Sequence, residues 1–172
     1  MVDDLIDPRR QEPPYVLDER TMLEAWLDFH RTTLVLKCEG LTEEELKRRP
    51  VESSSLSLHG LVRHMAEVER SWFRRVLLIQ PELPRIWSTP LNPDLDLYPI
   101  EDAHWPTDYG VWQTECASAR EAATGLSIDD TGIRDGEPCS LRWIFNHMIE
   151  EYARHNGHAD LIREMVDGSV GW

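Results

Sequence analysis

A chain of 172 residues with 18 lysines and arginines against 32 aspartates and glutamates carries a formal charge of −14, and so acidic a balance lacks the clustered cations that bind nucleic-acid phosphates. The length suits one domain, here residues 1–172, with one hydrophobic core, and the composition, 41% hydrophobic and 29% charged, is that of a soluble protein. No apolar run approaches the roughly 18 residues that cross a membrane, which excludes a membrane span.

Residues 1–19 are polar and contain Pro8, Pro13 and Pro14, so an extended arm is expected there. The start, Met1-Val2-Asp3-Asp4, is acidic where a secretory signal would be basic. From Arg20 to about Glu39, the residues Met22, Trp26, Phe29, Thr33 and Leu36 keep a helical period that Gly40 stops. Thr42-Glu43-Glu44-Glu45 is a capping-box start for a short helical turn ended by Pro50. Ser57 is placed to cap a second long helix running to about Ile79, with Leu61, His64, Val68, Trp72 and Val76 on one face.

Six prolines between Pro81 and Pro106, without a sustained period, mark a long crossover carrying Trp87, Tyr98 and Trp105. These three rings are expected to wall an apolar pocket. A third long helix is expected from about Thr107 to Leu126, a loop rich in Asp and Gly over Ser127–Pro138, and a last helix capped by Ser140 and ending near Asp167-Gly168. The predicted fold is all-α: a four-helix bundle whose second and third long helices run parallel, because a crossover of this length returns the chain to its starting end. Ser57-Leu58-x-x-Leu61-Val62-x-His64-Met65-x-Glu67 also lines up with Ser140-Leu141-x-x-Ile144-Phe145-x-His147-Met148-x-Glu150, as two related helix pairs would.

The last helix carries an apolar stripe through Ile144, Met148, Ala159, Ile162 and Val166, and Glu151 and His155 fall inside it. A carboxylate and an imidazole four residues apart stand one above the other. An unpaired buried carboxylate costs several kcal/mol, which a metal ion would relieve. If the second and last helices are antiparallel, His64 lies within about 5 Å of the level of His155. The set His64, Glu151 and His155 then suits zinc, or non-haem iron or nickel. His147 is eight residues from His155, about 12 Å along the axis, so one ion does not take both, and His147 is assigned a structural or outer role. Against this stands the reading of each histidine as a satisfied core residue.

His64 within Leu61-Val62-Arg63-His64-Met65-Ala66-Glu67, with Glu151-x-x-x-His155-x-Gly157-His158 on the last helix, resembles the DinB/YfiT-like superfamily of four-helix-bundle metalloenzymes. The resemblance runs from about Arg20 to Gly168. Many members bind the metal with three histidines, and here Glu151 replaces the first of the last pair. Mycothiol-dependent maleylpyruvate isomerase has such a His, Glu, His set, whereas His158 stands where the superfamily often has Gln. The resemblance implies a metal that activates the thiol of mycothiol, bacillithiol or a similar small thiol, in an S-transferase or isomerase acting on a small electrophile.

Cys38, Cys116 and Cys139 are odd in number and widely spaced, fitting reduced thiols in a cytoplasmic protein rather than a disulfide framework. Cys139 is expected to pack rather than react, and Arg63, Arg142 and Arg154 are candidate partners for a thiol's carboxylate. Two other readings compete with the enzyme: a non-catalytic or structural metal-binding bundle, and an acidic homodimer without metal whose polar core groups pair with each other.

Overall fold

The computed structural model describes residues 7–98 and 100–170. The first six residues of the expected arm, Pro99 of the crossover and the last two residues lie outside the described residues. Residues 7–18 contain neither helix nor strand and are tied to the body through Arg10, whose guanidinium bonds the Thr33 hydroxyl at 2.7 Å and lies over the Phe29 ring.

Helix α1 (Glu19–Cys38) starts where the Asp18 carboxylate accepts the Thr21 N–H, and α2 (Glu43–Lys47) has the Thr42/Glu45 capping box that the sequence signalled. Helix α3 (Leu58–Glu69), capped by Ser57, continues without a break into a π-helical segment, Arg70–Leu77. The chain leaves that segment through Ile79 at φ 54°, an uncommon backbone for a β-branched residue. Helix α4 (Trp105–Ala123) begins two residues before the expected Thr107, because Pro106 is tolerated in a first helical turn, where its missing N–H leaves no bond unmade. Helix α5 (Leu141–Asp167) is capped by Ser140 and closed by Gly168 at φ 82°.

The expected loop Ser127–Pro138 contains a hairpin instead: β1 (Thr131–Arg134) pairs antiparallel with β2 (Glu137–Ser140) in the register Thr131↔Ser140 to Arg134↔Glu137. Its two-residue turn, Asp135-Gly136, has φ values of 51° and 88°, the double positive φ of a type I′ turn, for which Asp-Gly is a preferred pair.

Cross-helix pairs give the directions. Asp108 meets His59 and Glu115 meets Arg70, so α4 runs parallel to α3, as expected from the crossover. His155 meets His64 and Phe145 meets Phe73, so α5 runs against α3. Glu19 pairs with Arg142 and Lys37 with Asp160, so α1 runs with α5. The core is filled by Leu27, Leu34, Leu61, Met65, Phe73, Ile144, Met148 and Tyr152, each almost wholly buried.

A polar chain crosses this core. Arg31 holds Glu69 with two hydrogen bonds, Nε to Oε1 at 2.7 Å and Nη2 to Oε2 at 2.6 Å. The Tyr152 hydroxyl donates to Glu69 at 2.8 Å and accepts from the Trp112 indole at 2.9 Å. Glu69 is fully buried and Arg31 nearly so, so the paired geometry is what makes either charge tolerable.

Candidate metal centre

His64 lies halfway along α3 and His155 halfway along α5, and the antiparallel crossing brings their ring centroids to 4.7 Å. Glu151 sits one turn before His155, with its Oε2 at 3.4 Å from His155 Nε2. One ligand atom each from His64, Glu151 and His155 lies within 4.8 Å of the other two. His155 is buried and His64 and Glu151 are half-buried, so Glu151 stands at the edge of the apolar stripe rather than under it. Bonds of about 2.0–2.1 Å in a tetrahedral ion put neighbouring ligand atoms about 3.3 Å apart, which the Glu151–His155 edge matches.

The outer atoms of each residue are engaged. Asp96, buried in the crossover, places Oδ2 at 2.9 Å from His64 Nδ1, leaving Nε2 to face the centre. His155 Nδ1 faces His158 Nδ1 at 3.4 Å. Burial, reinforced by the charges of His155 and Arg154, pushes the His158 pKa down, consistent with a neutral ring accepting a hydrogen bond there. Glu151 turns its other oxygen to His147 Nε2 at 3.2 Å. The His147 ring is stacked on Trp143 and set edge-on to Trp72, so packing fixes it where it steadies the carboxylate. The hydrogen bond with His155 holds the Glu151 carboxyl below the usual carboxylate range, with help from the charges of His147 and His64 and against the effect of burial. A second group, His147, Glu150 and Glu151, also has ligand atoms within 4.8 Å, but Glu150 is exposed.

Asp96 depends on a close seam. A Cβ on Gly60 would fall 2.5 Å from the Leu97 carbonyl oxygen, so only glycine lets the crossover lie this tightly on α3. Arg63 donates to Leu95 O at 3.1 Å, and Glu67 accepts from the Ile86, Trp87 and Ser88 N–H groups at 2.9–3.2 Å. Sequence reasoning missed Asp96 because the crossover holds several acids and no period singles one out.

A cleft of about 870 Å³ opens beside this cluster, lined by His64 and Glu151 but not His155, by Trp72 and Trp143, and by the hairpin residues Ile133 and Arg134. The expected walls are elsewhere: Trp87 lies against Arg63, Trp105 stacks on Tyr109, and neither these nor Tyr98 lines the cleft. The hairpin reaches it because Gly132 sits against the π-helical segment, where a Cβ would come within 2.1 Å of Val76 O. Of the candidate arginines, Arg142 pairs with Glu19 and Asp129, Arg63 bonds the crossover, and Arg154 is exposed. A smaller cavity of about 230 Å³, around Arg31 and Arg120, lies away from the histidines.

Residues 22–168 match the family model described as mycothiol-S-transferase. The chain belongs to this family. It is a DinB-like family whose members are generally metal-dependent, in keeping with the superfamily resemblance read from the sequence. A search of the curated proteins returns no match. The match includes α3, the crossover and α5, and so every residue of the centre. Among the described residues no helix is long and apolar enough to cross a membrane.

The chain's own thiols are poor candidates for the thiol of a transferase. Burial pushes Cys38 up to about 12, raises Cys116 well above its ordinary value together with the neighbouring Glu69, and raises Cys139. All three are free, and thiolate, not thiol, is the nucleophile. An S-transferase built on this frame takes its thiol from outside.

Proposed function

We propose that this chain is a metal-dependent S-transferase that joins a low-molecular-weight thiol of the mycothiol or bacillithiol type to a small electrophile. His64, Glu151 and His155 hold one divalent ion, taken here as zinc, the same set of two imidazoles and one carboxylate also suiting iron and nickel. The observation that carries the reading is the convergence of these three side chains, two of which, His64 and Glu151, line a cleft, within a chain of the mycothiol-S-transferase family. When bound, the ion supplies a thiolate at neutral pH by lowering the thiol's pKa.

The residues around it have separate tasks. Asp96 fixes the His64 tautomer, His158 receives the outer proton of His155, and His147 steadies the far oxygen of Glu151. Trp72 and Trp143 offer the cleft an apolar wall against which a small organic electrophile is held. Three protein ligands with a cleft beside them favour turnover over a purely structural ion, which would be fully ligated by the protein. Free thiols that need no oxidation accord with a cytoplasmic setting.

The test has two parts. Protein purified without a nickel column should carry close to one divalent ion per chain, and His64→Ala and His155→Ala should carry little. Metal-replete protein assayed with mycothiol, bacillithiol and glutathione against a generic alkylating electrophile should give thiol-selective, chelator-sensitive turnover that Glu151→Gln reduces. Retention of metal in both alanine variants overturns the ligand set, and turnover indifferent to the thiol supplied overturns the reaction.

A further inference from the structure

The cleft beside the three ligands contains cations that the rest of the chain does not neutralise. In a protein with 32 acidic residues against 18 basic ones, most arginines find a carboxylate: Arg9, Arg20, Arg31, Arg70, Arg120, Arg142 and Arg163 all do. Arg75 and Arg85 do not, among the described residues. Arg75 donates to the Leu83 carbonyl and Arg85 to the Ser88 hydroxyl at 3.2 Å, both neutral acceptors. Both arginines line the same cleft as His64 and Glu151.

The carboxylates of that cleft are engaged elsewhere. Glu67 takes three backbone N–H groups, Asp96 takes His64 and the Leu97 N–H, Glu151 takes His147 and His155, Asp135 takes Arg134, and exposed Asp94 has, among the described residues, only the Tyr98 hydroxyl, a neutral partner, at 3.4 Å. Each guanidinium has five N–H donors, and its hydrogen bond to a neutral acceptor leaves donors for a planar anion. The π-helical segment supplies Arg75 and the crossover supplies Arg85 to one cleft.

Resting on the S-transferase reading, we propose that the electrophile is a carboxylate-bearing molecule, its carboxylate bound by Arg75 and Arg85 while its apolar part lies along Trp72 and Trp143. The distance from the arginines to the ligand residues is bridged by the electrophile, whose reactive carbon then faces the thiol. In the reaction, the thiolate sulfur forms a bond to that carbon, and the leaving group departs with the electron pair of the bond that breaks. The thiol proton goes to solvent.

The test uses 4-(chloromethyl)benzoate and its methyl ester, which share the benzylic carbon and the chloride leaving group and differ in the carboxylate charge and the methyl that masks it. Charge-assisted hydrogen bonds change an affinity by about tenfold to a hundredfold each. Metal-replete protein with mycothiol should therefore prefer the carboxylate over the ester at least tenfold in kcat/KM, and Arg75→Gln/Arg85→Gln should bring that ratio close to one. Arg75→Lys/Arg85→Lys keeps the charge and should retain most of the preference, with far-UV circular dichroism checking that both double variants are folded. Binding is measured separately by titration calorimetry with the unreactive 4-methylbenzoate, so an absence of turnover with any thiol, which would sink the transferase reading, still leaves the arginine site decided. Tight binding by wild type that falls tenfold or more in the double Gln variant supports the proposal. Equal treatment of acid and ester, or 4-methylbenzoate binding that survives the double Gln change and is therefore held by the metal alone, overturns it.

Discussion

Removing the charge of Asp96 tests whether the centre is oriented from its outer shell. The Asp96 carboxylate is buried, touches His64 Nδ1 at 2.9 Å and bonds its own chain at the Leu97 N–H. Asp96→Asn preserves shape and an acceptor oxygen but replaces a charge-assisted hydrogen bond of about 1.5–3 kcal/mol by a neutral one of about 0.5–1.5 kcal/mol. The difference, about 1–1.5 kcal/mol, is roughly a tenfold loss of metal affinity. Asp96→Ala also frees the ring to rotate and should approach the hundredfold loss at the upper end of outer-shell effects. Zinc affinity is read by competition with a chromogenic chelator, and urea denaturation of the metal-free proteins separates lost affinity from lost fold. Asn and Ala variants that fold normally and bind zinc within twofold of wild type would refute the orienting role of Asp96.

Four further outcomes are expected. Gly60→Ala, whose Cβ would meet Leu97 O at 2.5 Å, should cost about 1–3 kcal/mol of stability by overpacking and weaken metal binding with it; stability and zinc titration of the same sample check the coupling. His147→Gln should leave metal content near stoichiometric, with at most about a tenfold loss of affinity, and complete metal loss in a folded variant would make His147 a ligand. Arg31→Met strands the buried Glu69 and should cost about 3–5 kcal/mol, while Arg31→Met/Glu69→Leu should recover much of it; urea midpoints decide. Cys38, pushed up to about 12, is thiolate above that pH and thiol below it, so at pH 8 its thiolate fraction is about a thousandfold below that of an ordinary thiol. Iodoacetamide labelling followed by mass spectrometry should then find Cys38 modified only after unfolding.

The helices and the convergence of His64, Glu151 and His155 were legible because both follow from period. Trp72 and Val76 fall on the buried face read for the second long helix, and the four-residue spacing of Glu151 and His155 needed only the antiparallel crossing with His64. The hairpin was legible in principle, since Asp135-Gly136 is a turn pair with a mechanism, but its strands are four residues each and alternate too briefly to stand out from a loop. The Arg31–Glu69–Tyr152–Trp112 chain and Asp96 were not legible. Both depend on which residues meet across 32 to 83 positions of sequence, and a charge on an amphipathic helix or in a loop reads as solvated until its partner is known.

That division follows from how the centre is assembled. The proposed ligands belong to α3 and α5, whose positions are fixed by buried apolar contacts such as Phe73 on Phe145, so they tolerate changes outside the core. Part of what aims and surrounds them comes from two segments outside the bundle, and each is admitted by one glycine: the crossover at Gly60, which delivers Asp96, and the hairpin at Gly132, which delivers Ile133 and Arg134. A side chain at either seam shifts a segment that contributes little to the core, so metal orientation and cleft shape should change before the bundle itself unfolds. Under the proposed function, sequence differences at the crossover and the hairpin turn are therefore a way for this fold to alter which electrophile it accepts while keeping His64, Glu151 and His155.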